Sequence, residues 1–303
     1  MISLTTGETA YDQPIAHKSR YTKIKVLMYH RIVDDEVLCH NYPDMCLHVR
    51  DFRTHLILLE RLGFTPITFE DYRLYKQGAI SLPKRPIILT FDDGYEEIYK
   101  LGFPLLQEYG VKAVIFVLGD RSIQANIWDS NKSRLHIPLM NDVQLIELHA
   151  AGHEVGSHTL THPRLIHLSK EKAWEEISRS RMLLEILLNA PVQTFSYPYG
   201  VISQPIKEMV VDAGYIHACA AYTGPPSFGS DPFEIRRLLI TSSTKMTGFA
   251  MRLLPGYKHY RWARSKIKSF LFPKNDENNS PESIDESYLS NMRDYSQRSR
   301  EDE

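Results

Sequence analysis

The apolar run Ile87-Ile88-Leu89-Thr90-Phe91 stops at Asp92-Asp93-Gly94, two adjacent carboxylates and a glycine. A continuous run of this kind reads as a strand buried on both faces, the kind found in parallel sheets covered by helices. Taking a carboxylate out of water costs roughly several kcal/mol unless it is paired or bound to a metal. Two in succession at a strand end therefore need a reason. Gly94 permits a sharp turn, so both acids can face one cavity, one as a metal ligand and one as a base. A plainer account also stands: Asp-Gly is a common turn pair, and Asp92 would serve as a helix cap.

About sixty residues on, Gly156-Ser157-His158-Thr159-Leu160-Thr161-His162-Pro163 holds two histidines at i and i+4. On a helical turn that spacing puts both imidazoles on one face. Gly152, Gly156 and Pro163 argue for a tight loop or short turn instead of a long helix. His158, His162 and one of the two aspartates make a two-histidine, one-carboxylate set with open positions. It suits zinc first, with nickel, cobalt, iron and manganese as alternatives.

Thr90-Phe91-Asp92-Asp93-Gly94, the histidine stretch 152–163, and Phe195-Ser196-Tyr197-Pro198-Tyr199-Gly200 occur in that order. Together they resemble the three leading motifs of the polysaccharide deacetylases, the NodB-homology domain of carbohydrate esterase family 4. The likeness covers about residues 23–242. The opening Val26-Leu27-Met28-Tyr29-His30-Arg31-Ile32 is similar to the branch that deacetylates biofilm poly-N-acetylglucosamine.

The resemblance implies a metal-dependent hydrolase that removes N-acetyl groups from amino sugars of a polysaccharide or lipid-linked glycan. By motif position Asp93, His158 and His162 match the metal ligands, Asp92 the general base, and the backbone N–H of Tyr199 an oxyanion donor. Two departures stand out. The arginine that holds the base in the family's third motif is Ser196 here, and Arg237, with Arg236 second, is the candidate to replace it. Plain surface charge is the other reading of that pair. The family's final Leu-x-Ile motif supplies a histidine acid, but Leu238-Leu239-Ile240 is followed by Thr241-Ser242-Ser243. His30, just past the first strand, is the candidate for that role, with a packing histidine as the alternative. Tyr197, Tyr199 and Trp128 either line the sugar subsite or pack in the core, and His153 is a supporting residue and not a ligand.

Strand and helix patterns alternate along the chain. Strands are expected at 23–29, 66–69, 87–91, 113–118, 154–156, 193–197, 216–221 and 235–240. Helices are expected at 51–62, 70–77, 96–109, 142–151, 169–188 and 205–213, most of them closed by a glycine. Residues 34–49 and 119–140 read as irregular. Alternation of this kind gives a parallel α/β sheet, and the motifs fall at strand C-termini, where (β/α) barrels keep their sites. The resemblance narrows this to a distorted, incomplete (β/α) barrel of seven strands with a C-terminal extension. The expected divisions are a loose arm at 1–22, the deacetylase domain at 23–244, a basic aromatic segment at 245–274 and a disordered acidic tail at 275–303.

Composition removes several classes. The 303 residues carry 36 basic and 37 acidic side chains, a net charge of −1, so no global field favours nucleic acid. Cys39, Cys46 and Cys219 make neither a disulfide framework nor a cysteine zinc site. Residues 1–23 lack the apolar core of a secretory signal, and no run approaches the ~18 apolar residues of a membrane span. Cytoplasmic residence is the expectation. Residues 245–274 hold eight Lys/Arg and no acid, interleaved with aromatics. That pattern suits peripheral binding to an anionic membrane face, or a last helix packed on the barrel with a solvated basic side. Two other functions remain open: an O-acetyl esterase or other amidase of the same family, and a glycan-binding protein that has lost catalysis.

Overall fold

The computed structural model describes residues 24–129, 136–220, 231–257 and 260. The expected arm at 1–22, the tail at 275–303 and residues 261–274 of the basic segment lie outside the described residues. The chain divides into two units, residues 1–255 and 256–303. The barrel lies wholly within the first.

The barrel is built from β1 (Lys25–Tyr29), β5 (Pro86–Phe91), β6 (Val114–Val117), β7 (Glu154–Ser157), β8 (Thr194–Ser196), β9 (His217–Ala220), β10 (Ile235–Arg236) and β11 (Leu238–Leu239). All pair in parallel, in the spatial order β10-β9-β8-β7-β6-β5-β1-β11. The two ends of this row are successive pieces of one chain segment. Ile235 and Arg236 pair with Cys219 and Ala220 of β9, while Leu238 and Leu239 pair with Leu27 and Met28 of β1. Arg237 sits at the break. Eight strands are thus seven barrel positions, closed by a seam only two residue pairs deep on each side. A further strand, β4 (Thr65–Ile67), pairs with the first half of β5, while β6 takes Thr90 and Phe91 of its second half.

Every residue of β5 is buried, as the unbroken apolar run requires. Helix α2 (Val49–Arg61) buries Phe52, His55, Leu56 and Leu59. The Phe52 ring meets Tyr29 and Phe91 edge-on at 5.5 and 5.7 Å. Helix α3 (Phe69–Lys76) follows β4 and opens on a capping box between Thr68 and Asp71. Helices α5 (Asp142–Ala150) and α6 (Lys170–Leu188) lie within the expected spans, and α7 (Gln204–Asp212) begins one residue before its own. In α6 the buried residues are Ala173, Ile177, Ser180 and Leu184.

Two differences from the sequence expectation have physical reasons. The expected helix 96–109 is instead a π turn over Ile98–Gly102 followed by α4 (Phe103–Glu108). Pro104 has no N–H to give to the carbonyl four residues back, and Phe103 N donates to Ile98 O, closing the wider turn. Residues 34–49 are not wholly irregular: α1 (Glu36–Asn41) is capped by the Asp35 side chain on Val37 N and Leu38 N. It buries no residue, so it leaves no apolar period in the sequence. It joins β2 (Arg31–Val33) to β3 (Cys46–His48), which pair in a separate two-stranded sheet. The basic segment begins as a packed helix, α8 (Lys245–Leu253), with Phe249 and Leu253 buried, in line with the packed-helix reading of its first residues. The Phe249 ring stacks on His55 of α2 at 3.7 Å.

Candidate active site

The parallel register fixes what meets at the top of the barrel. Tyr29 pairs with Phe91, and Asp92 N donates to Tyr29 O at 3.0 Å. The residues just beyond, His30 on one strand and Asp92-Asp93 on the next, are therefore neighbours. Four of the six non-glycine residues with positive φ among the described residues are here: Asp93, Thr159, His162 and Tyr199. Such conformations cost of order 1–3 kcal/mol each and persist only where surrounding contacts hold them.

Asp93, His158 and His162 are buried, and their ligand atoms all lie within 4.8 Å of one another. Nε2 of each histidine stands 3.3 Å from Asp93 Oδ1. A tetrahedral ion with arms of about 2.0–2.1 Å spaces its ligand atoms about 3.3–3.4 Å apart. His158 Nδ1 lies 2.7 Å from Ser196 O. A carbonyl only accepts, so Nδ1 carries the proton, and in the neutral imidazole Nε2 is the nitrogen left free for an ion. The donor set and its spacing thus fit a divalent cation. Burial alone would raise the Asp93 pKa, but its contacts with His158 and His162 hold it well below the ordinary 3.8.

Asp92 makes different contacts. Arg237 Nη1 and Nη2 donate to its Oδ1 and Oδ2, both at 2.6 Å, a bidentate pair with both partners buried. Ser196 Oγ donates to Oδ2 at 3.2 Å and accepts from Arg237 Nη2 at 3.0 Å. The guanidinium also donates to Ala220 O and to Thr90 Oγ1. It thereby ties β5, β8 and β9 together beneath the site. Burial would raise the Asp92 pKa, yet the Arg237 charge and hydrogen bonds bring it below 3.8. Arg236, the second candidate, pairs with Glu234 instead.

His30 Nδ1 is buried and has no hydrogen-bond partner among the described residues. Its field lowers the pKa of both Asp92 and Asp93. Tyr199 lies in the Pro198–Gly200 turn with φ +59°, and its ring meets His162 edge-on at 4.8 Å. Trp128 stacks on the other side of the site, 4.4 Å from the His162 ring. Tyr197 is not at the surface of the site. It is 1% exposed, and its hydroxyl donates to Phe233 O, which leaves it a packing role and corrects the subsite expectation. His153 precedes the far end of β7, where its Nδ1 accepts from Ala113 N at 3.1 Å, and burial pushes its pKa down to about 4.

Two residues here escape sequence reasoning. The Arg164 guanidinium lies 4.0 Å over the Tyr199 ring, and Glu176 of α6 accepts three hydrogen bonds from the histidine turn. Neither belongs to a motif. Only Arg164's place two residues after His162 offered a hint.

The polysaccharide deacetylase family model matches residues 79–218, which hold both histidines, both aspartates and the Tyr199 turn. The chain carries a polysaccharide deacetylase domain. Among curated relatives, Bacillus subtilis YxkH is 24% identical over 227 residues, 75% of each chain. The poly-beta-1,6-N-acetyl-D-glucosamine N-deacetylase of Staphylococcus aureus is 23% identical over 58% of this chain and 61% of that protein. Among solved structures, the Streptococcus pyogenes deacetylase PplD, in complex with acetate, superposes with a TM-score of 0.64 at 21% identity, covering 77% of this chain and 98% of that one. IcaB from Ammonifex degensii gives 0.61 at 21% identity, over 76% and 97%. At these identities the structural likenesses speak to the fold of the deacetylase domain.

Proposed function

We propose that this deacetylase domain is a metal-dependent carbohydrate N-deacetylase acting on an N-acetylated amino sugar of a polysaccharide or lipid-linked glycan. The observation that carries the reading is the division of labour between adjacent acids. Asp93 faces two imidazoles at 3.3 Å, while Asp92 is kept off them by a bidentate arginine. One carboxylate is thus disposed as a ligand and its neighbour as a base. The name of the staphylococcal relative supports the choice of an N-acetylglucosamine polymer.

Asp93, His158 and His162 would hold the ion, and zinc suits two imidazoles and a carboxylate. A bound divalent ion would polarise the acyl carbonyl and bring the pKa of water from ~15.7 toward ~7. Asp92 then takes the proton of the attacking water on a carboxylate oxygen. The water oxygen bonds to the acetyl carbon, and the N–H of Tyr199 stabilises the negative carbonyl oxygen. When the C–N bond breaks, His30 delivers a proton to the sugar nitrogen, and acetate and a free amine result. Trp128 and Tyr199, aromatic neighbours of His162, would border the sugar ring. An O-acetyl ester would meet the same machinery, and product analysis separates the two.

Stoichiometric zinc in the purified protein, with acetate released from N-acetylglucosamine oligomers and abolished by chelation, is the expected result. Zinc-loaded protein that releases no acetate from N- or O-acetylated glycans would move the reading to a glycan-binding protein.

We further propose that residues 245–274 hold the protein at an anionic membrane, on the cytoplasmic face. Among the described residues no helix is long and apolar enough to cross one. Phe249 and Leu253 are taken up by the core, so the lipid contact falls to the basic and aromatic residues after Pro255. The protein should pellet with vesicles containing phosphatidylserine at low salt. A version lacking residues 256–303 that pellets equally well counts against the proposal.

A further inference from the structure

We infer that Glu176, in the middle of α6, is a positioning residue for the metal centre: its carboxylate sets the turn that brings His158 and His162 together. The inference rests on the metal-dependent reading of the site and extends it to a side chain outside the motif.

The turn between the two histidines is difficult for its sequence. Thr159 has φ +69° and His162 φ +66°. Left-handed backbone is uncommon for any residue but glycine and a clear outlier for a β-branched one. The turn supplies only part of its own support, a bond from His162 N to Thr159 Oγ1 at 3.0 Å. The N–H groups of Leu160 and Thr161 point the other way, out of the turn. Both donate to a single oxygen, Glu176 Oε2, at 2.9 and 2.8 Å. Thr161 Oγ1 donates to Oε1 at 2.7 Å. Successive backbone N–H groups in such a turn form a concave site for an anion, and here the anion is a side chain of the same domain.

The carboxylate does not act alone. Ser180, one helical turn further along α6, donates to Thr159 O at 2.9 Å. Gly119 N donates to the same carbonyl. A Cβ at Gly119 would stand 2.5 Å from Ser180 Cα, so glycine there lets α6 approach closely enough for both contacts. Glu176 and Ser180 share one helix face and grip the turn on its amide and carbonyl sides. Removing the carboxylate frees two adjacent amides and lets the turn relax toward ordinary φ. His162 Nε2 then loses its place beside Asp93 Oδ1.

The test is zinc affinity of the full chain, measured by chelator competition, together with the d–d absorption of the cobalt-loaded protein. Glu176→Ala should bind zinc about 10–100-fold more weakly than wild type, the usual range for residues that orient ligands, and should shift the cobalt bands. Glu176→Gln keeps one oxygen that can accept from both amides and should fall between. Thr161→Val loses only the hydroxyl contact and should stay near wild type. A role in stability alone predicts otherwise: a lower melting temperature of the metal-free protein, with unchanged zinc affinity and cobalt spectrum in Glu176→Ala. That result overturns the inference. Wild-type protein that takes up neither zinc nor cobalt overturns the metal centre itself and the inference with it.

Discussion

Asp92→Asn should retain its zinc and lose about 10²–10⁴-fold of acetate release, the range that proton transfer by a positioned base contributes. The substitution keeps the side-chain shape and the acceptor toward Arg237 Nη1, and it leaves Asp93, His158 and His162 untouched. It removes the basic oxygen that takes the proton in the proposed mechanism. It also places an amide N–H₂ group against a guanidinium, so turnover has to be expressed per metal-loaded, folded molecule. Because Arg237 holds the Asp92 pKa below 3.8, wild-type activity should show no acid limb from this group near neutrality. His30→Ala isolates the other proton. If His30 feeds the leaving nitrogen, that variant keeps its metal and loses most of its turnover. An Asp92→Asn protein with near-normal turnover would assign the base elsewhere. Normal turnover in metal-loaded His30→Ala would return that residue to packing.

Much of this site was legible because the signals were local. Asp92, Asp93, His158 and His162 each follow a strand whose apolar run or glycine flank is visible, and parallel strand order brings strand ends together. The count of seven barrel positions came from the family resemblance, since the alternation alone offers eight strands, and the seam splits the last of them at Arg237. What stayed hidden depends on distance in sequence. Glu176 looks like any exposed helical glutamate, since nothing in its neighbourhood shows that two amides sixteen and fifteen residues earlier converge on it. For Tyr197 the sequence left subsite and packing both open; Ser196 faces Asp92, so the next side chain turns to the opposite face and packs on Phe195. Helix α1 buries nothing, so the hydrophobic pattern could not register it. The Ser196 departure was legible as a missing charge. What the sequence could not show is that a small residue there touches both Asp92 and an arginine arriving from the barrel seam.

Arg237→Met should be the most destabilising single change at the site, and its effect should depend on pH. Breaking a buried ion pair from one side costs about 3–5 kcal/mol, because the remaining charge has no compensation. Both partners here are almost fully buried, and the guanidinium also bridges to Thr90, Ser196 and Ala220. In the wild type, the Asp92 pKa is depressed in the folded state. Its contribution to stability is therefore present above about 3.9 and is lost as pH falls through the folded value. Without Arg237, burial dominates and the folded pKa rises above the unfolded one. The same carboxyl then favours folding only below about 3.9 and opposes it as pH climbs. The two effects add, so the gap between variant and wild type should be wide at pH 7.5 and should close toward pH 4. Urea midpoints at several pH values measure it directly. The acid limb of activity should move up in parallel, as more of the Asp92 base is protonated near neutrality. Arg237→Lys keeps the charge but not the two-pronged contact, and should recover part of the stability and little of the turnover. A gap of equal size at pH 7.5 and 4.5 would mean that Arg237 acts by filling space at the seam between β10 and β11, and the base would need another source of control.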